Sequence, residues 1–252
     1  MISIKTQEEV EKIRRACCIT AQVLTDIEKN LKPGMTTGEI DRIGEQLILK
    51  AGAKPAFKGY RGYRFATCIS INQEVVHGMP SEKRIISEGD IVGIDIGVIF
   101  NEYYGDMART FGIGKISKSA ERLLKCGREA LRSAIANVRA GGRLGDISCA
   151  IESQAKKNGY SVVRDLFGHG IGRSLHEDPL IPNFGNRGEG VELKAGMVLA
   201  IEPMINVGGS DVITLDDGWT VVTSDHSLSA HFEDTVVVTE KGAEILTCLK
   251  KM

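Results

Sequence analysis

Apolar residues recur at steps of three and four from the start of the chain. Val10, Ile13, Cys17, Leu24, Ile27 and Leu31, with Thr20 on the same stripe, predict one buried helical face. Thr6 and Glu9 have capping-box spacing, in which each side chain satisfies a free backbone N–H of the first turn. Lys32-Pro33-Gly34 ends this helix. A second opens on Thr36 and Glu39, turns Ile40, Ile43 and Leu47 inward and stops near Gly52. The arrangement then returns about 107 positions later. A helical pattern runs from near Ser117 to Val138 and leads into Arg139-Ala140-Gly141-Gly142-Arg143-Leu144-Gly145-Asp146-Ile147. Gly34 aligns with Gly141, Gly38 with Gly145, Glu39-Ile40 with Asp146-Ile147, and Gly52 with Gly159. This predicts a duplicated unit of helix, turn, helix and strands. Chance recurrence of common turn residues is the competing explanation.

Elsewhere the period changes to two. Strands are predicted over 64–72, over 90–100 with Val92, Ile94, Ile96 and Val98 on one face, and over 103–112 as a hairpin partner. Later strands are predicted over 196–204 and 229–239. Helix pairs grouped around antiparallel strands point to an α+β fold rather than a parallel doubly wound sheet.

Length and composition add bounds. A chain of 252 residues, 42% of them hydrophobic, can bury a full core as one domain or two fused halves. Lys and Arg total 32 against 33 Asp and Glu, so the basic excess expected of a nucleic-acid binder is missing. The 29 glycines imply tight turns and close backbone approaches. None of the six cysteines forms a Cys-x-x-Cys pair, which favours reduced thiols in a cytosolic protein. Acids precede any apolar region at the N-terminus, against a signal peptide, and no apolar run approaches the ~18 residues of a membrane span.

Familiar motifs are missing. Gly168-His169-Gly170-Ile171-Gly172 is followed by Arg173, so it lacks the third glycine of a dinucleotide loop. There is no Walker loop, no His-Glu-x-x-His and no Gly-x-Ser-x-Gly elbow.

Acids inside apolar strands are the strongest anomaly. Asp95 interrupts Ile91-Val92-Gly93-Ile94-Asp95-Ile96-Gly97-Val98, on the face opposite the apolar residues and flanked by two glycines. Asp106 follows eleven residues on, a separation that lets the two share a face of the hairpin. One such Asp could face solvent. Glu202 closes the apolar run from Gly196, however, and Glu233 opens another, Phe232-Glu233-Asp234-Thr235-Val236. A paired-carboxylate dyad accounts for two acids, not four. His169, bracketed by glycines, adds an imidazole. Such an oxygen-rich set suits Mg, Mn, Fe(II), Co or Zn, and two divalent cations would neutralise four carboxylates.

Seven ordered blocks now carry a resemblance. They are Cys68-Ile69-Ser70-Ile71-Asn72 leading to His77-Gly78-Met79-Pro80; Gly89-Asp90-Ile91-Val92 to Asp95; Tyr104-Gly105-Asp106; Gly168 to Arg173; His176-Glu177-Asp178-Pro179; Ile201-Glu202-Pro203-Met204; and Phe232-Glu233-Asp234-Thr235. Over nearly its whole length the chain resembles the type I methionine aminopeptidases of bacterial form. The step from His176 to Glu202 leaves no room for the insertion of type II enzymes, and no N-terminal zinc-finger extension is expected.

The resemblance implies the pita-bread (creatinase/aminopeptidase) fold, an antiparallel sheet with outer helices in two pseudo-symmetric halves. A single catalytic domain over 1–252 would divide near 1–112 and 113–252. It implies removal of the initiator methionine from nascent chains and peptides, with a small second residue preferred, by a hydroxide between two metals attacking the carbonyl. Asp95 would chelate one ion, His169 and Glu202 the other, and Asp106 and Glu233 would bridge them. Co, Fe(II), Mn, Zn or Ni could serve. His77 and His176 would contact substrate and stabilise the oxyanion, and Glu202 would double as proton shuttle. Tyr60, Tyr63, Cys68, Leu175 and Trp219 would line the methionine pocket, with Phe57 at its rim or simply in the core. Two positions depart from the family pattern: Leu175 often stands as phenylalanine, and Asp234 as histidine.

Two other readings stay open. One is a pita-bread peptidase cleaving X-Pro bonds, normally built with a large additional N-terminal domain. The other is a non-catalytic binding protein on the same fold, which would normally lack some of the five ligands. The remaining expectations are a cytoplasmic monomer without membrane or sequence-specific nucleic-acid partners, with transient ribosome contact left open. A preference for small second residues would leave Met1-Ile2 intact.

Overall fold

The computed structural model describes residues 2–249, so the expectation for Met1 lies outside the described residues. Helices α1 (Gln7–Glu28) and α2 (Thr37–Lys50) are each opened by the anticipated capping box, at Thr6–Glu9 and Thr36–Glu39. Ser117 caps α3 (Lys118–Ala136) by accepting from the Ala120 N–H, and α4 (Leu144–Lys157) follows.

The repeat in the sequence is a repeat in space. Gly34 and Gly141 both take positive φ, 92° and 79°, where a Cβ would be strained. The Gly34 N–H donates to Ile86 O, and the Gly141 N–H to Leu193 O. Thr36 bridges to Ile85 as Arg143 does to Glu192. Each helix pair is therefore pinned by the segment leading into its own half of the sheet.

Among the described residues, fifteen strands are numbered in chain order. The first half supplies β1 (Lys54–Pro55), β2 (Thr67–Ile71), β3 (Glu74–Val76), β4 (Ile91–Phe100) and β5 (Tyr103–Gly112). The second supplies β6 (Ser161–Val162), β7 (Phe167–Gly170), β8 (Glu177–Pro182), β9 (Val198–Ile201) and β10 (Met204–Asn206). It ends with β11 (Val212–Thr214), β12 (Val221–Thr223), β13 (Ser229–His231), β14 (Glu233–Thr239) and β15 (Gly242–Ile245). The main sheet runs β1-β4-β5-β14-β9-β7-β8, with β2 also on β4 and β15 on β14. Its pairings are antiparallel.

The helices cover one face of this sheet. Val92, Ile94, Ile96 and Val98 of β4 pack with Leu24, Ile27 and Ile40 of the first helix pair. Leu199, Ile201, Phe232 and Val236 pack with Leu123, Leu131 and Ile147 of the second. The opposite face is left for chemistry.

Two predicted strands are broken. Residues 196–204 divide into β9 and β10 around Glu202-Pro203, and 229–239 into β13 and β14 at Phe232. Pro203 has no N–H to donate to a ladder. Both breaks occur where the chain leaves the main sheet for a small one, in which Met204 pairs with His231. The strand predicted over 64–72 is shorter, Thr67–Ile71.

Candidate active site

The register of three strands assembles the acids. Asp95 on β4 is paired with Ala108 on β5, and Glu233 on β14 is paired with the same Ala108. The three form one row on the face away from the helices. Asp106, two residues before Ala108, lies on that face as well, opposite Gly97. On the far side of β14, His169 of β7 is paired with Ala200 of β9, and Glu202 leaves the end of β9. All five predicted ligand residues thus line one cleft.

Ligand atoms of Asp106, His169 and Glu233 lie within 4.8 Å of one another. His169 Nε2 is 3.9 Å from Asp106 Oδ2 and 3.7 Å from Glu202 Oε1. His169 Nδ1 sits 2.9 Å from Gly170 O. A carbonyl only accepts, so the ring proton is assigned to Nδ1 and the Nε2 lone pair is left facing the acids.

Burial works against charge throughout the cluster. It pushes the Asp95 carboxyl up to about 7 and Glu202 to about 8. Asp106 is held well above the carboxylate range by burial and then by the charges of Asp95 and Glu202, and Glu233 by burial and then by those of Asp106 and Glu202. Burial also holds the His169 imidazole down near 3. Among the described residues, Asp95 Oδ1 and Glu233 Oε1 are buried without a hydrogen-bond partner. Orphaned acceptors, crowded carboxylates and a neutral imidazole aimed at them fit divalent cations, which would favour the ionised acids and the free lone pair together.

Beside the acids the cleft is apolar. Tyr60, Tyr63, Cys68, Leu175 and Trp219 line it, together with Phe57. The whole cleft, acids included, measures about 180 Å³, enough for one side chain but not for a folded segment. Tyr63 donates its hydroxyl to Thr67 O at 2.9 Å, so its buried polar tip is satisfied. His77 and His176 also line the cleft. His176 Nδ1 is 2.9 Å from the Tyr60 hydroxyl. With that hydroxyl donating, the imidazole proton is assigned to Nε2, available to a substrate oxygen.

Sequence reasoning missed two residues. Arg61 lines the cleft beside Tyr60. His231, buried on β13, brings Nε2 to 3.4 Å from Glu202 Oε2. Asp234, where the family pattern is departed from, holds Arg109 at 2.7 Å and accepts from the Thr247 hydroxyl at 2.7 Å. Arg109 in turn donates to Glu233 O, so Asp234 supports the backbone of a candidate ligand residue.

The sequence profile of metallopeptidase family M24 matches residues 11–240. The chain belongs to this family. A methionine aminopeptidase from Clostridium perfringens is 50% identical over 250 residues, covering 99% of this chain and 100% of that one. A methionine aminopeptidase structure from Thermotoga maritima superposes with a TM-score of 0.96 at 46% identity, covering 98% of this chain and 99% of that one. A prolidase from Pyrococcus furiosus superposes at 0.80 with 28% identity, covering 98% of this chain and 66% of that one. The M24 chain has the α+β pita-bread fold these structures share, with the two pseudo-symmetric halves seen in its helix pairs. As an M24 metallopeptidase it depends on divalent metal. Among its described residues, no helix is long and apolar enough to cross a membrane.

Proposed function

We propose that the chain is a methionyl aminopeptidase that removes the N-terminal initiator methionine from nascent proteins and peptides, preferring a small second residue. One observation carries this reading: aromatic and apolar side chains line the same cleft as the clustered acids and His169. A site built this way holds one flexible apolar side chain beside a hydrolytic centre.

Asp95, Asp106, His169, Glu202 and Glu233 would hold two divalent cations. Co, Fe(II), Mn, Zn or Ni would suit this donor set. When bound, the cations would supply Lewis-acid polarisation of the scissile carbonyl and an acidified water. The rest falls to the protein. Tyr60, Tyr63, Cys68, Leu175 and Trp219 hold the methionine side chain and exclude water from it. His77 and His176 donate to the oxygen that becomes negative, and Tyr60 keeps His176 in the donating tautomer. Glu202 accepts a proton from the attacking water and passes it to the leaving amine.

The catalytic domain spans residues 1–252, with halves near 1–112 and 113–252. The protein works as a cytoplasmic monomer on chains emerging from the ribosome.

Met-Ala-Ser and Ala-Pro-Gly peptides test this reading after chelation and after addition of each metal. Metal-dependent release of methionine from the first peptide alone is the expected result. Cleavage of only the second would favour an X-Pro peptidase, in line with the prolidase-like core. Full activity after chelation would refute the metal dependence, and no hydrolysis with any metal would favour a binding protein.

A further inference from the structure

The cleft that holds the acids is lined by one Lys or Arg side chain among the described residues, Arg61. Arg61 and His176 are the exposed members of that lining, so together they mark its mouth. Tyr60, Tyr63 and Trp219 line the cleft together with the acids, so the rest of a peptide substrate would leave past this pair.

Arg61 is held at the mouth rather than free to swing away. It takes the left-handed backbone conformation, φ 48° and ψ 28°, between Gly59 and Gly62, which also have positive φ. That conformation is uncommon for a long side chain. Its guanidinium lies over the Tyr60 ring, 5.4 Å from the centroid, and the Tyr60 hydroxyl meets His176. No carboxylate pairs with it among the described residues, although Arg14, Arg42, Arg84, Arg109, Arg143, Arg164 and Arg173 all have acidic partners.

We propose that Arg61 is a specificity-determining residue that favours acidic side chains at the third and fourth positions of the substrate. The inference rests on the aminopeptidase reading and deepens it. An extended peptide advances about 3.4 Å per residue, so the chain clears the cleft floor within a few residues of the scissile bond. A fixed cation at a low-dielectric rim then attracts an acid there and repels a base. The attraction acts on binding, so it appears in KM more than in kcat.

The test uses the metal-loaded full chain and three peptides, Met-Ala-Asp-Asp, Met-Ala-Ser-Ser and Met-Ala-Lys-Lys, at low ionic strength. Arg61→Asn and Arg61→Asp suit the backbone, because Asn and Asp tolerate the left-handed region. Wild type is expected to favour the acidic over the basic peptide about tenfold in kcat/KM, mainly through KM. The preference should shrink towards one in Arg61→Asn, invert in Arg61→Asp, persist in Arg61→Lys and flatten in high salt. An unchanged ratio in the Asn and Asp variants, or equal rates on all three peptides by wild type, overturns the proposal and leaves the aminopeptidase reading standing. Failure of wild type to cleave even Met-Ala-Ser-Ser overturns both.

Discussion

Asp95 and Glu233 face each other across Ala108, the residue paired with both in the ladders of β4–β5 and β5–β14. Ala108 is buried, and its methyl group lies in the same row as the two carboxylates. A larger side chain there would enter the space between them. Ala108→Val is expected to keep the fold, at a cost of about 1–3 kcal/mol for overpacking, and to lose most of its bound metal. Elemental analysis of metal-loaded protein, with circular dichroism as the control for folding, checks this.

Asp106 and His169 are central to the cluster, since their donor atoms and that of Glu233 lie within 4.8 Å of one another. Asp106→Asn and His169→Ala are expected to abolish turnover of a Met-Gly peptide while the protein stays folded. Asp106→Asn removes a buried carboxyl whose desolvation opposes folding in the ion-free protein and should lower ion-free stability little, whereas His169→Ala also leaves a cavity and an unpaired Gly170 carbonyl and should lower it more. Thermal unfolding with and without metal separates the two effects: the metal-induced rise in Tm should shrink in both variants.

Much of this site was legible because burial rules are strict. An ionised acid in an apolar strand demands a partner, and that alone singled out Asp95, Asp106, Glu202 and Glu233. The capping boxes and repeated glycines were legible because they act within a few residues. What escaped depended on distant segments. The breaks at Pro203 and Phe232 follow from a crossing between two sheets, which local alternation does not encode. His231 gains its place beside Glu202 from that crossing. Arg61 looks like any surface arginine until the loop is seen to end at the cleft mouth.

The pH dependence of the ion-free protein has a definite sign. Asp95 and Glu202 keep protons up to about 7 and about 8 when folded, but unfolded carboxyls release them near 4. Between those limits the folded state binds more protons, so stability falls as pH rises. His77 and His169, held near 4 and 3, oppose this below about 6.5, where unfolded imidazoles take up protons that the folded ones refuse. Above 6.5 the histidines no longer contribute to the slope. The Tm of chelated protein should therefore fall between pH 6.5 and 8, and Asp95→Asn should fall less steeply. A flat or rising profile for the chelated protein would contradict the assignment.

Gly105 lies beside Asp106 and lets β5 press against α1. A Cβ there would come within 2.6 Å of Cys17 N and 2.7 Å of Ala16 C, both backbone atoms of the helix. The helix backbone has no rotamer with which to yield. Gly105→Ala should cost about 2–3 kcal/mol or more in urea unfolding and should weaken metal binding by moving Asp106.

Lys5 pairs with Glu177 beneath the turn that carries Leu175 and His176. Lys5 is buried, and its ammonium donates to Glu177 Oε2. The other carboxylate oxygen accepts from the N–H groups of Arg173, at 2.8 Å, and Ser174, at 3.2 Å. Gly172 leaves the room, since a Cβ there would lie 2.4 Å from Lys5 Cε. The N-terminal arm thus helps to seat a candidate catalytic histidine. Lys5→Met strands a largely buried carboxylate, for which a loss of about 2–4 kcal/mol is expected because Glu177 keeps some exposure. Glu177→Gln should preserve the two backbone contacts but strand the lysine. Each single variant should lower kcat as well as stability, because the His176 turn loses its anchor. The double variant leaves no stranded charge and should recover part of the lost stability, which a double-mutant cycle in urea measures directly. Strict additivity in that cycle would mean that the two side chains do not support each other.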